Sequence, residues 1–275
     1  MNKFTVAVAQ TVCCDDVQAN YAKAEELIAE AAEKGAKLIV FPENMNYVGP
    51  VDPSKQEDVP GGEGCQRMAA AAKKHNIWVN LGSIKERTDE KPYNTSVLFT
   101  PEGEVQAIYR KLHLCDMQGS QHSKPVRESD SVRKGDQIVV TDIGNCKIGM
   151  SICYDMRFPE QFRIMSEKGA QIICHPACFS MVTGSAHWEI LLRSIAVFSH
   201  CYVLASNHCG KKNNTSPMWG HSMIIDPWGN VIAQADWERE ALLVAEIDLD
   251  ICDDLRNRLG CMANRRNDIY RLEEC

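Results

Sequence analysis

Three residues that can do chemistry each follow a predicted strand directly. They are Glu43 after LIVFP, Lys111 after VQAIYR and Cys153 after CKIGMSI. A thiol is mostly protonated at neutral pH, and it becomes an efficient nucleophile when a base takes its proton or a cation stabilises the thiolate. Glutamate supplies the base and lysine the cation. The set predicts attack on a carbonyl or nitrile carbon, with Lys111 and the backbone N–H of Tyr154 stabilising the oxyanion.

Two other chemistries use some of the same residues. A cysteine–histidine enzyme would pair Cys153 with His113 or His175 as the base. His113 lies two residues past Lys111, and we expect it to make a structural hydrogen bond near the site. A metal centre would draw on Cys174, His175 and Cys178, or on His208 and Cys209. Those spacings lack the paired Cys-x-x-Cys of a zinc site and fall in apolar runs, which favours buried thiols and no metal.

The pattern of apolar residues predicts the elements that position these side chains. Phe4, Val6 and Val8 alternate as in a strand, a helix begins at about Val17 and ends at Gly35, and a strand follows over 38–41. The unit repeats with a helix over about 65–75 and a strand over 77–83. Further strands are predicted over 96–100, 105–109, 138–141 and 146–152. Between them, the polar stretch 112–135 is unusually long for a loop and therefore a candidate functional segment.

The second half of the chain resumes the alternation. Helices are predicted over about 159–168 and 186–199, strands at QIICH and CYVLAS, two strands around the DPWG turn, a strand over 242–247 and a short terminal helix. There are more strands than a doubly wound parallel sheet uses, so a layered α/β protein with mixed sheets fits best. No stretch has the composition of a linker, and we expect a single domain over residues 1–275.

Composition excludes several classes of protein. The 275 residues are 44% hydrophobic and carry a net charge of −7, which excludes a disordered chain and gives no excess of positive charge for nucleic acid or an anionic membrane surface. The 13 cysteines come without a secretory signal or a spanning segment. We therefore expect a cytoplasmic protein with reduced thiols.

The blocks around the three candidate residues resemble those of a known family. FPEN around Glu43, YRKLHL around Lys111 and GMSICYDMRFPE around Cys153 are similar to the signature blocks of the nitrilase superfamily of carbon–nitrogen hydrolases. Supporting segments are YNTSVLF, TGSAHWEILLRSIA and WGHSMIIDPWGNVIA. The resemblance covers nearly the whole chain and implies a four-layer αββα sandwich of two mixed β-sheets flanked by helices, usually dimerised, that hydrolyses its substrate without a metal or cofactor.

The resemblance also implies roles for individual residues. Glu43 is the general base, Lys111 stabilises the oxyanion and Cys153 is the nucleophile that forms a thioester. Glu128, in the VRES segment, matches a second glutamate that family members often add. The alternative for Glu128 is a solvated loop residue.

Finer matching favours one branch of the family. CYDMRFPE and the WGHS segment are similar to the omega-amidases, which act on alpha-ketoglutaramate, and to the deaminated glutathione amidases. Arg157 is placed to bind a substrate carboxylate, its alternative being an ion pair with Asp155 or Glu160. Tyr47, Phe179 and Trp188 are further candidate substrate contacts, with packing as the alternative for Trp188.

These observations predict an amidase that hydrolyses the terminal carboxamide of a small carboxylate-bearing molecule and releases ammonia. An N-carbamoyl amidohydrolase is the nearest alternative because it uses the same three residues, and a nitrilase is a more distant one. A scaffold protein that has kept the fold and lost the reaction is the non-enzyme alternative. The intact Glu43, Lys111 and Cys153 set argues against that alternative.

Overall fold

Two large β-sheets with helices on their outer faces make up most of the described part of the chain, and a third sheet has only two short strands. The computed structural model describes residues 2–12, 14–119, 125–210 and 217–275. Residues 120–124 of the predicted functional segment, and Cys13, lie outside it. The helices are α1 (Val17–Glu33), α2 (Glu63–His75), α3 (Pro159–Glu167), α4 (Met181–Ser199) and α5 (Asp250–Leu259). The strands are β1 (Lys3–Gln10), β2 (Ala36–Val40), β3 (Trp78–Asn80), β4 (Ile84–Glu86), β5 (Tyr93–Phe99), β6 (Val105–Arg110), β7 (Asp116–Met117), β8 (Val126–Arg127), β9 (Val140–Asp142), β10 (Lys147–Met150), β11 (Ile172–Ala177), β12 (Tyr202–Asn207), β13 (Met223–Ile225), β14 (Val231–Gln234) and β15 (Ala241–Asp248).

Both large sheets are mixed and have a parallel centre. The first sheet has the order β15-β1-β2-β3-β5-β4, with β6 paired to β5, and β1, β2 and β3 run parallel. The second sheet has the order β14-β13-β12-β11-β10-β9, and β10, β11 and β12 run parallel. In each sheet the carboxyl ends of the parallel strands therefore lie at one edge, where functional sites of α/β proteins form.

The residues of β1 show how the layers are built. Val6 and Val8 belong to the core that also contains the second sheet, whereas Ala7 and Ala9 pack with α1 and α2. Successive strand residues point to opposite faces, so one strand serves two layers. Helices α3 and α4 cover the other side of the second sheet through Phe162 and Leu192 among others. The predicted αββα sandwich is confirmed.

Helix α4 begins five residues earlier than the sequence pattern predicts. It extends from Met181 instead of 186, and it therefore contains Gly184. The ring of Trp219 packs so closely on Gly184 that an added Cβ would lie 2.2 Å from Cγ of that ring. The glycine therefore serves this close approach and does not end the helix. No helix in the described part of the chain is long and apolar enough to cross a membrane.

Candidate active site

Glu43 follows β2 in the first sheet, but the second sheet holds it in place. Its carboxylate accepts hydrogen bonds from Lys111 Nζ at 2.9 Å, Asn94 Nδ2 at 2.7 Å and the backbone N–H of Cys178 at 2.9 Å. Its backbone carbonyl accepts from Nε2 of His208 at 2.8 Å. Burial alone would raise the pKa of Glu43, yet the positive charges of Lys111 and Lys85 outweigh burial and lower it to about 2. The side chain is a carboxylate at neutral pH.

Lys111 follows β6 and bridges two carboxylates. Its side chain is 2% exposed, and Nζ lies 2.9 Å from an oxygen of Glu43 and 2.9 Å from an oxygen of Glu128. Burial disfavours the ammonium, but the charges of the two glutamates outweigh burial and raise the pKa of Lys111 well above its usual range. Lys111 is therefore a fixed cation and not a base.

Glu128 lies in a short 3₁₀ helix (Glu128–Asp130) of the predicted functional segment. Besides Lys111, its carboxylate accepts the backbone N–H of Cys115 at 2.7 Å. The side chain is only 14% exposed. The structure thus brings Glu128 together with Glu43 and Lys111, so it is not a solvated loop residue.

Cys153 lies at a sharp turn between β10 and a short 3₁₀ helix (Cys153–Arg157). Its φ is 48°, a left-handed conformation that costs a non-glycine residue of order 1–3 kcal/mol and is common at functional sites. Burial, followed by the charge of Glu43, raises the pKa of the thiol well above its usual value, against the opposing effect of Lys111. The sequence left two ways to activate the thiol: a base that removes its proton, or a cation that stabilises the thiolate. The raised pKa favours the first, because it keeps the thiol protonated until a base removes the proton.

Asp155 is a buried anchor that the sequence analysis did not single out. Its oxygens accept hydrogen bonds from the Tyr109 hydroxyl at 2.6 Å, the Ile152 N–H at 2.8 Å, and the backbone N–H and Nδ1 of His113 at 3.0 and 2.8 Å. The His113 ring also stacks on Phe158 at 3.7 Å. Asp155 therefore ties the segment after Lys111 to the turn that carries Cys153, and His113 has the structural role expected of it.

The alternative chemistries find no support in the geometry. His175 is buried, its Nδ1 lies 2.8 Å from Oγ of Ser151, and burial lowers its pKa to about 4. Cys174 is fully buried in the core, and His208 binds the backbone of Glu43. Among the residues that the structure describes, no group of three or more His, Cys, Asp and Glu side chains is arranged to hold a metal ion.

Arg157 does not form the ion pair that was its alternative role. Its two terminal nitrogens lie 3.3 Å from Nδ1 of His187, and its guanidinium lies 5.5 Å from the centre of the Tyr154 ring and 5.8 Å from that of Phe179. Its Nε is buried without a partner among the described residues. The guanidinium is thus held by rings and an imidazole, and no carboxylate within the described chain neutralises it.

The three aromatic residues considered as substrate contacts have different surroundings. Phe179 is nearly buried beside Arg157. The ring of Trp188 has no exposed surface, lies 5.3 Å from that of Phe179 and donates its N–H to the carbonyl of His221 at 2.7 Å. It packs behind Phe179, which is the alternative role given to it. Tyr47 lies in the segment after Glu43, with Lys55 5.8 Å from the centre of its ring.

Two further polar residues reach the site and were missed from sequence. Asn94 on β5 donates to Glu43 at 2.7 Å, and Lys85 on β4 donates to Oδ1 of Asn44 at 2.9 Å, next to Glu43. Asn94 belongs to the YNTSVLF segment that the family resemblance had marked. Lys85 carried no signal, since a lysine in a short strand usually faces solvent.

Comparisons with known proteins agree with this geometry. Residues 5–257 match the carbon-nitrogen hydrolase family. The deaminated glutathione amidase of Mus musculus is 38% identical over 275 residues, which cover 96% of this chain and 84% of that protein. The omega-amidase NIT2 of Xenopus tropicalis is 37% identical over 276 residues, which cover 100% of this chain and 99% of that protein.

Two similar proteins are considerably longer than this chain. The nitrilase and fragile histidine triad fusion protein NitFhit of Drosophila melanogaster is 38% identical over 273 residues, which cover 98% of this chain and 58% of that protein. The crystal structure of the C. elegans NitFhit protein superposes with a TM-score of 0.90 at 33% identity and covers 98% of this chain and 66% of that one. The chain thus spans less than two thirds of either protein. The family match and these identities confirm what the blocks around Glu43, Lys111 and Cys153 had indicated: the chain belongs to the carbon–nitrogen hydrolase family, within the nitrilase superfamily.

Proposed function

We propose that the protein is an amidase that cleaves a carbon–nitrogen bond other than a peptide bond through a covalent intermediate on Cys153. The observation that carries the proposal is the convergence of Glu43, Lys111 and Cys153 from three strand ends. Glu43 and Lys111 are buried 2.9 Å apart, and the charge of each shifts the pKa of the Cys153 thiol. A chain without a reaction to catalyse has no reason to keep two buried charges around a strained, buried thiol.

The first half of the reaction follows from these protonation states. Cys153 Sγ attacks the amide carbon while Glu43 takes the thiol proton, and the carbonyl oxygen becomes an oxyanion. The Lys111 ammonium and the Tyr154 N–H stabilise that charge, each donor contributing about 3–4 kcal/mol in comparable sites. The proton on Glu43 then passes to the departing nitrogen, and a thioester remains on Cys153.

The second half uses the same groups on water. Glu43, again a carboxylate, takes a proton from water as the hydroxide adds to the thioester carbon. The tetrahedral intermediate collapses to a carboxylic acid, and the Cys153 sulfur leaves and regains its proton from Glu43. Lys111 stays protonated throughout, because its raised pKa opposes proton loss. Glu128 accepts a hydrogen bond from Lys111 and holds it in place.

The substrate class we propose is a small amide that also carries a carboxylate. Arg157 supports it, since its guanidinium is stacked on Tyr154 and Phe179 without a carboxylate partner in the described chain. A charged hydrogen bond from such a group contributes about 1.5–3 kcal/mol. The names of the deaminated glutathione amidase and the omega-amidase point to the same class.

An intact-mass experiment tests the catalytic proposal. Incubation with an electrophilic amide or ester analogue should add one acyl group, and peptide mapping should place it on Cys153. The variant Cys153→Ala should lose the adduct and the turnover while keeping its melting temperature. Cys261→Ala, an exposed thiol, is the matched control and should behave as the wild type. An adduct elsewhere, or turnover by Cys153→Ala, would overturn the assignment.

A substrate panel tests the proposed class. It compares alpha-ketoglutaramate, deaminated glutathione, an N-carbamoyl amino acid and a simple nitrile. Both ammonia and the acid product are measured. We expect the highest kcat/KM with one of the first two. Preference for the N-carbamoyl compound or the nitrile would contradict the proposal.

We also propose a homodimer formed through α4. Val182, Ile190 and Val197 are 67%, 63% and 46% exposed on this helix, and the neighbouring Trp228 is 58% exposed. A second copy related by a twofold axis can bury this apolar face against itself. Light scattering should show a dimer that Ile190→Glu converts to a monomer, whereas Val105→Glu, at a 39% exposed residue of β6, should remain dimeric. A monomeric wild type, or a dimeric Ile190→Glu, would contradict this interface.

A cytoplasmic location completes the proposal. Two of the described cysteines, Cys261 and Cys275, are exposed free thiols. Exposed free thiols are typical of a reducing compartment. Cell fractionation tests this proposal, and recovery of the protein in an oxidising compartment would contradict it.

A further inference from the structure

A further cation, Lys85, lies beside the site, where its charge helps to lower the pKa of Glu43. We infer that Lys85 interacts with the carboxylate of the substrate, so that it sets the preference of the enzyme for anionic over neutral amides. The inference rests on the proposed amidase function and deepens it.

The register of the first sheet places Lys85 on the face of the site. Lys85 on β4 is the direct partner of Asn94 on β5, and Asn94 O accepts the backbone N–H of Lys111 at 2.9 Å. Directly paired residues project from the same face of a sheet, with Cβ atoms about 5 Å apart. Since Asn94 Nδ2 reaches Glu43, Lys85 lies on the same side, one strand further along.

The Lys85 ammonium donates fewer hydrogen bonds within the described chain than its three N–H groups allow. One of these groups donates to Oδ1 of Asn44 at 2.9 Å. Among the described ion pairs, none includes Lys85. Next to it, Oδ1 of Asn94 is buried without a hydrogen-bond partner in the described chain. This corner of the site is therefore polar and incompletely paired, as expected where a ligand completes it.

The charges of the catalytic groups explain what Lys85 adds to the site. Glu43 and Glu128 each carry a negative charge, and Lys111 alone bridges both. With a neutral Cys153 thiol, these three groups leave one negative charge that repels a substrate carboxylate. Lys85 lies close enough to interact with both glutamates, and its positive charge offsets this negative charge. A partly buried lysine without an ion pair loses hydration, and a bound carboxylate restores the lost stabilisation.

A purely structural role for Lys85 predicts a different outcome. If the lysine served only to hold Asn44, and through it Glu43, its loss would impair hydrolysis of every amide alike. If it binds the substrate carboxylate, its loss impairs only amides that carry one. The substrate pair glutaramate and pentanamide separates the two, because they have the same chain length and differ in the carboxylate.

The test compares Lys85→Met with the wild type on both substrates. We expect kcat/KM for glutaramate to fall about 10- to 100-fold, mostly through KM, as for loss of a charged hydrogen bond. The value for pentanamide should stay within about threefold. Lys37→Met, an exposed lysine of β2, is the matched control and should change neither. An equal loss on both substrates, or no loss on glutaramate, would overturn the inference.

A binding measurement gives the same answer without turnover. In the Cys153→Ala background, calorimetry with glutaramate should show Lys85→Met binding about tenfold or more weakly, and unchanged affinity would refute the role. Failure of the proposed function looks different, since the wild type would then hydrolyse no carboxylate-bearing amide at all. A wild type that hydrolyses glutaramate with a selectivity unaffected by Lys85→Met refutes the role of Lys85 alone.

Discussion

Replacing Asp155 with asparagine tests whether the buried anchor positions the site. Each carboxylate oxygen of Asp155 accepts two hydrogen bonds, one pair from His113 and the other from Tyr109 and Ile152. Asparagine keeps the shape but replaces one oxygen with an amide that can only donate. Nδ1 of His113 can switch to accept from that amide, whereas the Tyr109 hydroxyl already accepts from the Leu112 N–H and from Nε2 of Gln161. The backbone N–H of either His113 or Ile152 then loses its acceptor.

The cost follows from these bonds. A buried N–H without an acceptor costs about 1–3 kcal/mol, and the hydrogen bonds to the remaining oxygen weaken because their acceptor is no longer charged. We expect Asp155→Asn to destabilise the fold by about 3 kcal/mol, which corresponds to a melting temperature lower by about 6–12 °C for a protein of this size. Because Ile152 precedes Cys153 and His113 follows Lys111, we also expect kcat to fall at least about tenfold.

Thermal unfolding and steady-state kinetics on the same samples provide the assay. Asp142→Asn makes the same chemical change at an exposed aspartate whose carboxylate accepts a local N–H, from Gly144 at 2.6 Å. This control should shift the melting temperature by no more than about 2 °C and leave kcat unchanged. A melting temperature within about 2 °C of the wild type for Asp155→Asn, with kcat within twofold, would refute the anchoring role.

Three further outcomes follow from the charges of the site. Burial lowers the pKa of Lys85, so KM for glutaramate should rise at alkaline pH, below the usual lysine pKa, as the ammonium loses its proton; a KM that does not change up to pH ~10 would contradict this. Burial and Glu43 raise the pKa of Cys153, so the rate of alkylation by iodoacetamide should keep rising with pH past the usual thiol pKa of about 8.5. A rate that levels off below this pH would indicate a preformed thiolate instead. Glu128→Gln removes one of the two carboxylates at Lys111, and we expect kcat to fall about 10- to 100-fold with little change in melting temperature; kinetics like the wild type would remove Glu128 from the site.

Much of the fold was predictable because its signals are local. The alternation in β1 predicts the strand and separates Val6 and Val8 from Ala7 and Ala9; the second face is buried as well, because α1 and α2 cover it. Helix α1 begins at Val17, as predicted, because Asp16 accepts hydrogen bonds from two N–H groups of its first turn. The start of α4 was not predictable, since the reason for Gly184 is the ring of Trp219, which lies 35 residues away in the sequence.

The site likewise contains residues that the sequence indicates and residues that only the folded structure reveals. Glu43, Lys111 and Cys153 share a local signal, since each directly follows a strand, and the family blocks mark them as well. Lys85 and Asp155 carry no such signal. Lys85 lies at the site because its partner on the neighbouring strand lies there. Asp155 is an anchor because donors from a distant segment of the chain bind its carboxylate. Sheet register and loop contacts exist only once the chain has folded, so these residues could not be assigned before.

The position of Glu43 couples the chemistry to the packing of the two sheets. Its backbone continues from β2 of the first sheet, yet its N–H donates to Ala177 O at 3.3 Å and its carboxylate accepts the N–H of Cys178, both at the end of β11 in the second sheet. The nucleophile belongs to the second sheet as well, because Cys153 follows β10. The Glu43 carboxylate and the Cys153 thiol therefore keep their relative position only while the core between the two sheets is tightly packed. A cavity in that core should impair kcat at temperatures well below global unfolding, because a small shift between the sheets misplaces Glu43 before the fold is lost.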